Sequence, residues 1–209
     1  MKHSDFAEFA AWITQAGLEG AEEAALLAGF CDRLCALGLP LARASLIVDT
    51  LHPIYEGRLF PWRRGEGALP PIEYGSTKEG EPLARWQSSP FYRMLQTGAS
   101  IMRIPAAEEI GRPHYSSFVE QQLQGMVELV PMICRFAAKG AIGEMDCVYF
   151  YWSTDRQRGI ELMKTSNERD NVSSKQVKYM IDPGDGIPRG FALMCRRIEL
   201  AGLIAQMRA

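Results

Sequence analysis

No long hydrophobic run occurs in this 209-residue sequence. Its longest apolar stretches, around 127–134 and 147–152, fall far short of the roughly 20 residues a bilayer-crossing helix needs. The opening MKHSDFAEFAAWITQ carries acids within its apolar face and lacks the apolar centre of a secretion signal. Basic excess is lacking too. A net charge of −2 gives no global positive field to draw nucleic acid or acidic lipid. Histidine is scarce, with three in the chain, and His52 and His114 are the interior ones. The five cysteines, Cys31, Cys35, Cys134, Cys147 and Cys195, form no CxxC pair. Their odd count and apolar surroundings suit reduced, buried thiols. Cys31 and Cys35 share a helix face, but metal ligation there would need partners from elsewhere in the chain. No internal repeat or low-complexity block is present. These absences predict a soluble, cytoplasmic chain with neither a nucleic-acid nor a membrane partner.

What is present suits a folded domain. Hydrophobic residues make up 47% and charged residues 23%, enough for an ordinary core. The length fits one domain over 1–209. Residues 4–17 read as a short amphipathic helix capped by Ser4, with Phe6, Phe9 and Ile13 on one stripe. A second helix over 19–37 has acids at its start and Gly38 after its last apolar turn. Its stripe is Leu26, Leu27, Phe30, Leu34 and Leu37. The period then changes from helical to alternating. Strands are expected over 41–51, 57–65 and 100–105, with a short one in IEYGS. Pro61 suggests an edge or a bulge. Within 82–98, Ser89 caps a helix, Pro90 takes its first position and Gly98 ends it. Another helix is expected at 115–126. The clearest strands are 127–136 and 145–154. Residues 157–187 are polar and turn-rich and read as an irregular insertion. A final helix spans 189–209. Two helices, a strand pair, helices with strands, a second strand pair and a last helix predict an α+β fold with a central antiparallel sheet and helices segregated to one side.

The chemistry concentrates in TLHPIYEGRLFPWRRGEG, residues 50–67. Pro53 holds His52 extended, and its imidazole is either a ligand contact or a backbone hydrogen-bond partner. No nucleophile or carboxylate stands at a recognisable catalytic spacing from it. Arg58, Arg63 and Arg64 lie among Tyr55, Phe60 and Trp62. Strand alternation puts Arg58, Phe60, Trp62 and Arg64 on one side and Leu59 and Arg63 on the other. The group reads as an anion or nucleotide clamp, or as a half-buried strand with arginine stems along it.

The segment GLPLARASLIVDTLHPIYEGRLFPWRRGEG resembles the N-terminal GAF-like regulatory region of bacterial class III adenylate and guanylate cyclases. The matching positions are Gly38 to Leu41, Arg43, Ser45, Thr50 to Pro53, Gly57, Arg58, Trp62 and Arg63. SSPFYRMLQTG and YFYWSTD are similar to later parts of that region. The resemblance covers about 19–156 and 189–209 and is absent across 157–187. It implies a GAF-like sheet flanked by helices, with the N- and C-terminal helices packed together. The catalytic domain of such cyclases has no counterpart in these residues, so it supplies no activity. The motif residues of bilin-, haem- or sulfoxide-handling GAF relatives are unmatched, and no cofactor is assigned.

The expectation is a non-catalytic sensor or regulatory domain that binds a small ligand or a partner. His52, Arg58, Trp62 and Arg63 are the expected ligand-binding residues. The apolar stripe of the last helix points to a homodimer formed through the terminal helices. Two alternatives stay open. One is a small enzyme on the same fold, either a cysteine-dependent reductase or a hydrolase using His52. The other is an assembly module with an empty pocket.

Overall fold

A computed structural model gives the fold and describes residues 8, 11–13, 15–17, 19–36, 38–50, 54–105, 115–135 and 147–155. His52, the insertion 157–187, the final helix 189–209 and the packing of the terminal helices therefore lie outside the described residues. So do Ser4, Phe6, Phe9, Leu37, His114 and Cys195.

The expected α+β architecture is present. Helix α1 runs Glu23–Ala36, α2 Gly80–Gln87, α3 Pro90–Thr97 and α4 Ser116–Leu123. Residues 11–13 and 15–17 are also helical. The strands are β1 Leu41–Asp49, β2 Gly57–Arg63, β3 Gly67–Ala68, β4 Ile72–Tyr74, β5 Ile104–Pro105, β6 Met126–Arg135 and β7 Cys147–Asp155. They form one antiparallel sheet in the order β3-β2-β1-β7-β6-β5, with β4 also pairing β2. The strand expected over 100–105 shrinks to the Ile101–Met132 bridge and the two residues of β5.

The register sorts side chains by parity. Leu46 stands opposite Phe60 and Phe150, and Phe150 opposite Met132. Ala44, Trp62, Trp152 and Val130 make the next row. Both rows face α1, whose Leu27, Phe30, Cys31 and Leu34 close the main core. Phe30 meets Phe150 edge-on, with centroids 5.7 Å apart. Burying each such side chain contributes about 1.5–3 kcal/mol relative to leaving it exposed.

The other face carries Ser45, Ile47, Tyr149, Tyr151 and Ile133. There Phe91 and Met94 of α3 pack on Ile133, Cys147 and Tyr149. Phe118 of α4 packs with Ile104, Tyr115, Met126 and Leu129. Helices thus cover both faces, which corrects the one-sided arrangement expected from the sequence. A sheet with Phe60, Trp62, Phe150 and Trp152 on one face and Tyr149, Tyr151 and Ile133 on the other has apolar surface to bury on both.

Two local expectations resolve in detail. Ser89 accepts a hydrogen bond from the Tyr92 amide at 3.1 Å, Pro90 opens α3, and Gly98 closes it at φ 73°. Pro61 sits opposite Ser45 inside the sheet, and its carbonyl accepts from the Leu69 amide at 2.9 Å. In an antiparallel ladder a residue's N–H and C=O point the same way. The missing N–H of Pro61 therefore faces away from β1, beside the break between β3 and β4, and no β1 ladder bond is lost.

Candidate functional site

Of the residues expected at the pocket rim, Arg58, Trp62 and Arg63 are described, and these three point to different surroundings. Trp62 is 2% exposed in the core beneath α1, and its Nε1–H donates to Asp32 Oδ1 at 3.2 Å. Arg58 projects outward and donates to Glu73 Oε1 through Nε at 3.0 Å and Nη2 at 2.7 Å. Arg63 pairs with Glu66 at 2.8 Å on the surface. Arg64 pairs with Asp155. Each of these guanidiniums is matched to a carboxylate of the chain itself.

A cleft of about 990 Å³ opens instead on the sheet face opposite α1. Ile47, Leu59, Tyr149 and Tyr151 supply its floor, and Trp86 of α2 and Phe91 of α3 supply one wall. Gln121 and Glu120 of α4 line it as well. Tyr149 lies 5.4 Å from Trp86 in an edge arrangement and 5.2 Å from Phe91 in a tilted one, by ring centroids. The aromatic wall exists because the Ser88–Ser89 break between α2 and α3 lets Trp86 and Phe91 both reach Tyr149.

At one end of the cleft, three strands align one residue each. Asp49 is opposite Gly57, and Gly57 is opposite Tyr74. The Tyr74 hydroxyl reaches across β2 and donates to Asp49 Oδ1 at 3.0 Å. A Cβ on Gly57 would collide with the Tyr74 ring and hydroxyl, so this position needs glycine for close approach. Glu56, next in the chain, accepts from the Thr77 amide at 2.5 Å and the Thr77 hydroxyl at 2.6 Å. Thr50 closes the preceding loop, donating from its amide to Glu56 O at 2.7 Å and from its hydroxyl to Tyr55 O at 2.8 Å. Tyr55 and Glu56 are thus tied into the cleft's end.

Burial, then the charge and hydrogen bond of Asp49 and the charge of Glu56, push the Tyr74 phenol far above its ordinary range. Burial also raises Tyr151, opposed by its hydrogen bond with Ser45 and by the charge of Arg43. Ser45 and Tyr151 hydroxyls lie 3.0 Å apart, so one hydrogen of the pair is left for another acceptor. Burial, with Cys35 and Asp32 nearby, pushes the Cys31 thiol well up, the opposite of the lowered thiol a reductase would use. No group of three or more His, Cys, Asp or Glu suited to a metal occurs among the described residues. Nor is any helix among them long and apolar enough to cross a membrane.

Sequence reasoning missed Asp49, Tyr74, Trp86, Phe91, Glu120 and Tyr149 as one site. They come from six separate elements, and no local spacing joins them. Gly57, one of the positions of the family resemblance, stands at the end of this site, and the Tyr74 contact is the reason for it.

No protein-family model and no curated protein matches the chain. Among solved structures, it is similar to the GAF domain of a two-component sensor histidine kinase from Bacillus halodurans. The identity is 11%, the TM-score 0.42, and the match covers 84% of this chain and 95% of that one. It is also similar to Escherichia coli SdiA at 11% identity and TM-score 0.40, over 97% of this chain and 68% of that one.

Proposed function

We propose that this chain is a GAF-like sensor or regulatory domain, non-catalytic by itself, that binds a small ligand in the cleft over the second sheet face. The observation that carries the reading is the cleft: about 990 Å³, with an aromatic floor and wall and a few polar groups turned inward. Small-molecule sites typically have this size and make-up. The resemblance of residues 38–63 to cyclase regulatory regions supports the same class of role and suggests a related output.

Ligand contacts made in one arrangement of α2, α3 and the sheet would bias that arrangement over others. The shift would pass to the terminal helices, which are proposed to pair two copies of the chain in the cytoplasm. His52 keeps a place in the proposal because it stands in the chain between Asp49 and Glu56, both of which line the cleft. Arg58, Trp62 and Arg63 enter it as the frame of β2, which presents Leu59 to the cleft.

The test is native mass spectrometry of the purified full chain, followed by a thermal-shift screen against metabolites and nucleotides. A retained small molecule, or a stabiliser whose effect is lost in Trp86→Leu, is the expected result. A chain that carries nothing and that no compound in the library stabilises would end the ligand-sensor reading and favour a pure assembly module.

A further inference from the structure

We propose that the cleft selects organic cations: an amine or ammonium group carried on an apolar or aromatic body. The inference rests on the cleft being the ligand site, and it adds the ligand's charge.

The first support is the aromatic surface. Trp86, Phe91, Tyr149 and Tyr151 all line the cavity, and Phe91 and Trp86 both meet Tyr149 at centroid distances under the 6.3 Å that separates Trp86 from Tyr92. Ring faces carry the negative lobe of the aromatic quadrupole and attract ammonium groups. The second is charge. Asp49, Glu56, Glu81 and Glu120 line the cleft, against Arg85 as the basic residue among the described lining, and Arg85 is bound to Glu81. The chain as a whole is close to neutral, at −2, so this concentration is local. Tyr74 registers it: after burial, Asp49 and Glu56 are what hold its proton.

The third support is preorganisation. Asp49 is fixed by the Tyr74 hydroxyl and Glu56 by the amide and hydroxyl of Thr77. Carboxylates held in place lose little freedom when a cation arrives. A phosphate or carboxylate ligand would meet the same acids as repulsion. Arg58 and Arg63 are turned to Glu73 and Glu66, and Arg43, whose charge reaches Tyr151, is bound to Gln124; none of the three lines the cleft.

The test compares three soluble probes of one shape on the full chain at pH 7: 2-phenylethylamine, 2-phenylethanol and 3-phenylpropanoate. Titration calorimetry, or saturation-transfer NMR for weak binding, reads affinity. The amine is expected to bind about tenfold more tightly than the alcohol, and the carboxylate not measurably. Glu120→Gln and Trp86→Leu should each weaken the amine about threefold or more. Glu120 is an exposed helix residue, so its variant carries the test if Trp86→Leu fails to fold. Amine and alcohol binding equally, with both lost in Trp86→Leu, would overturn the cation inference and leave the cleft as a ligand site. Tighter carboxylate binding would overturn it in the same way. Amine binding unchanged in both variants places the contact elsewhere and overturns it. No binding by any of the three also overturns it, while the cleft reading is judged separately by the mass spectrum and the broader screen.

Discussion

The Tyr74 hydroxyl donates to Asp49 Oδ1 at 3.0 Å by passing over Gly57, the residue that separates them in the sheet register. This cross-strand link ties the short strand β4 to β1 through the gap that a missing side chain leaves. It also fixes the acidic end of the cleft, because Asp49 and Tyr74 both line it.

Gly57→Ala should therefore destabilise the fold by about 1–3 kcal/mol, as expected for overpacking at a tight contact. Gly57 has no positive φ, so the cost is steric rather than a backbone penalty. Combining it with Tyr74→Ala should recover only part of the loss, because the new Cβ also meets the Val48 carbonyl oxygen at 2.8 Å. Urea denaturation of the two single variants and the double variant reads the coupling. Full additivity would show that the two residues do not share the space.

The raised Tyr74 phenol gives a pH dependence with a definite sign. Below the ordinary phenol value of about 10, both folded and unfolded chains keep the proton, and the group's contribution to stability is fully present and independent of pH. Above it the unfolded chain ionises while folded Tyr74 does not, so stability falls by up to about 1.4 kcal/mol per pH unit. Tyr151 adds a loss of the same sign. Thermal melts from pH 8 upward should show the decline, and Tyr74→Phe should make it shallower. The same substitution should cost about 1 kcal/mol at neutral pH through the lost hydrogen bond to Asp49. An unchanged alkaline slope in Tyr74→Phe would contradict the assignment.

Trp62 should behave as a core residue. Trp62→Phe removes the Nε1–H bond to Asp32 and part of the ring, and is expected to cost about 1–3 kcal/mol in a urea melt. Affinity for any cleft ligand should stay unchanged. Arg58→Ala and Arg63→Ala break surface ion pairs and should each cost less than about 1 kcal/mol. A large affinity loss in any of the three variants would restore the 58–63 stretch as the contact surface.

Cys31 and Cys147 should resist labelling in the native chain. They are 0% and 1% exposed, and Cys31 also has a raised thiol. Iodoacetamide treatment at pH 8 with peptide mapping should find both unmodified until denaturant is added. Rapid native modification of Cys31 would revive the cysteine-dependent enzyme.

Much of the fold was legible because it is written in local periods. Leu26, Leu27, Phe30 and Leu34 recur at helical spacing and are buried on α1. Ala44, Leu46 and Val48 alternate with Ser45 and Ile47, and β1 splits them between two faces as that pattern requires. Ser89, Pro90 and Gly98 mark α3 by cap chemistry that acts within one turn. The two-residue strand β3 was not legible, since Gly67–Ala68 carries no period and exists only as a partner of Trp62 and Arg63.

The cleft was not legible for a related reason. Arg58, Trp62 and Arg63 are chemistry-bearing types, yet alternation alone could not say which face of β2 helix α1 would cover. Once α1 packs on Phe60 and Trp62, Trp62 becomes core and the opposite face is left to build the cleft. The sequence by itself determined most of the elements and their two-faced strands, whereas the need for glycine at 57 arises from the Tyr74 ring that crosses it. Only the tertiary structure decided which face α1 seals and which face holds the cleft. That choice depends on Asp49, Tyr74, Trp86, Glu120 and Tyr149 meeting across long stretches of chain, through pairing and burial that no local spacing encodes.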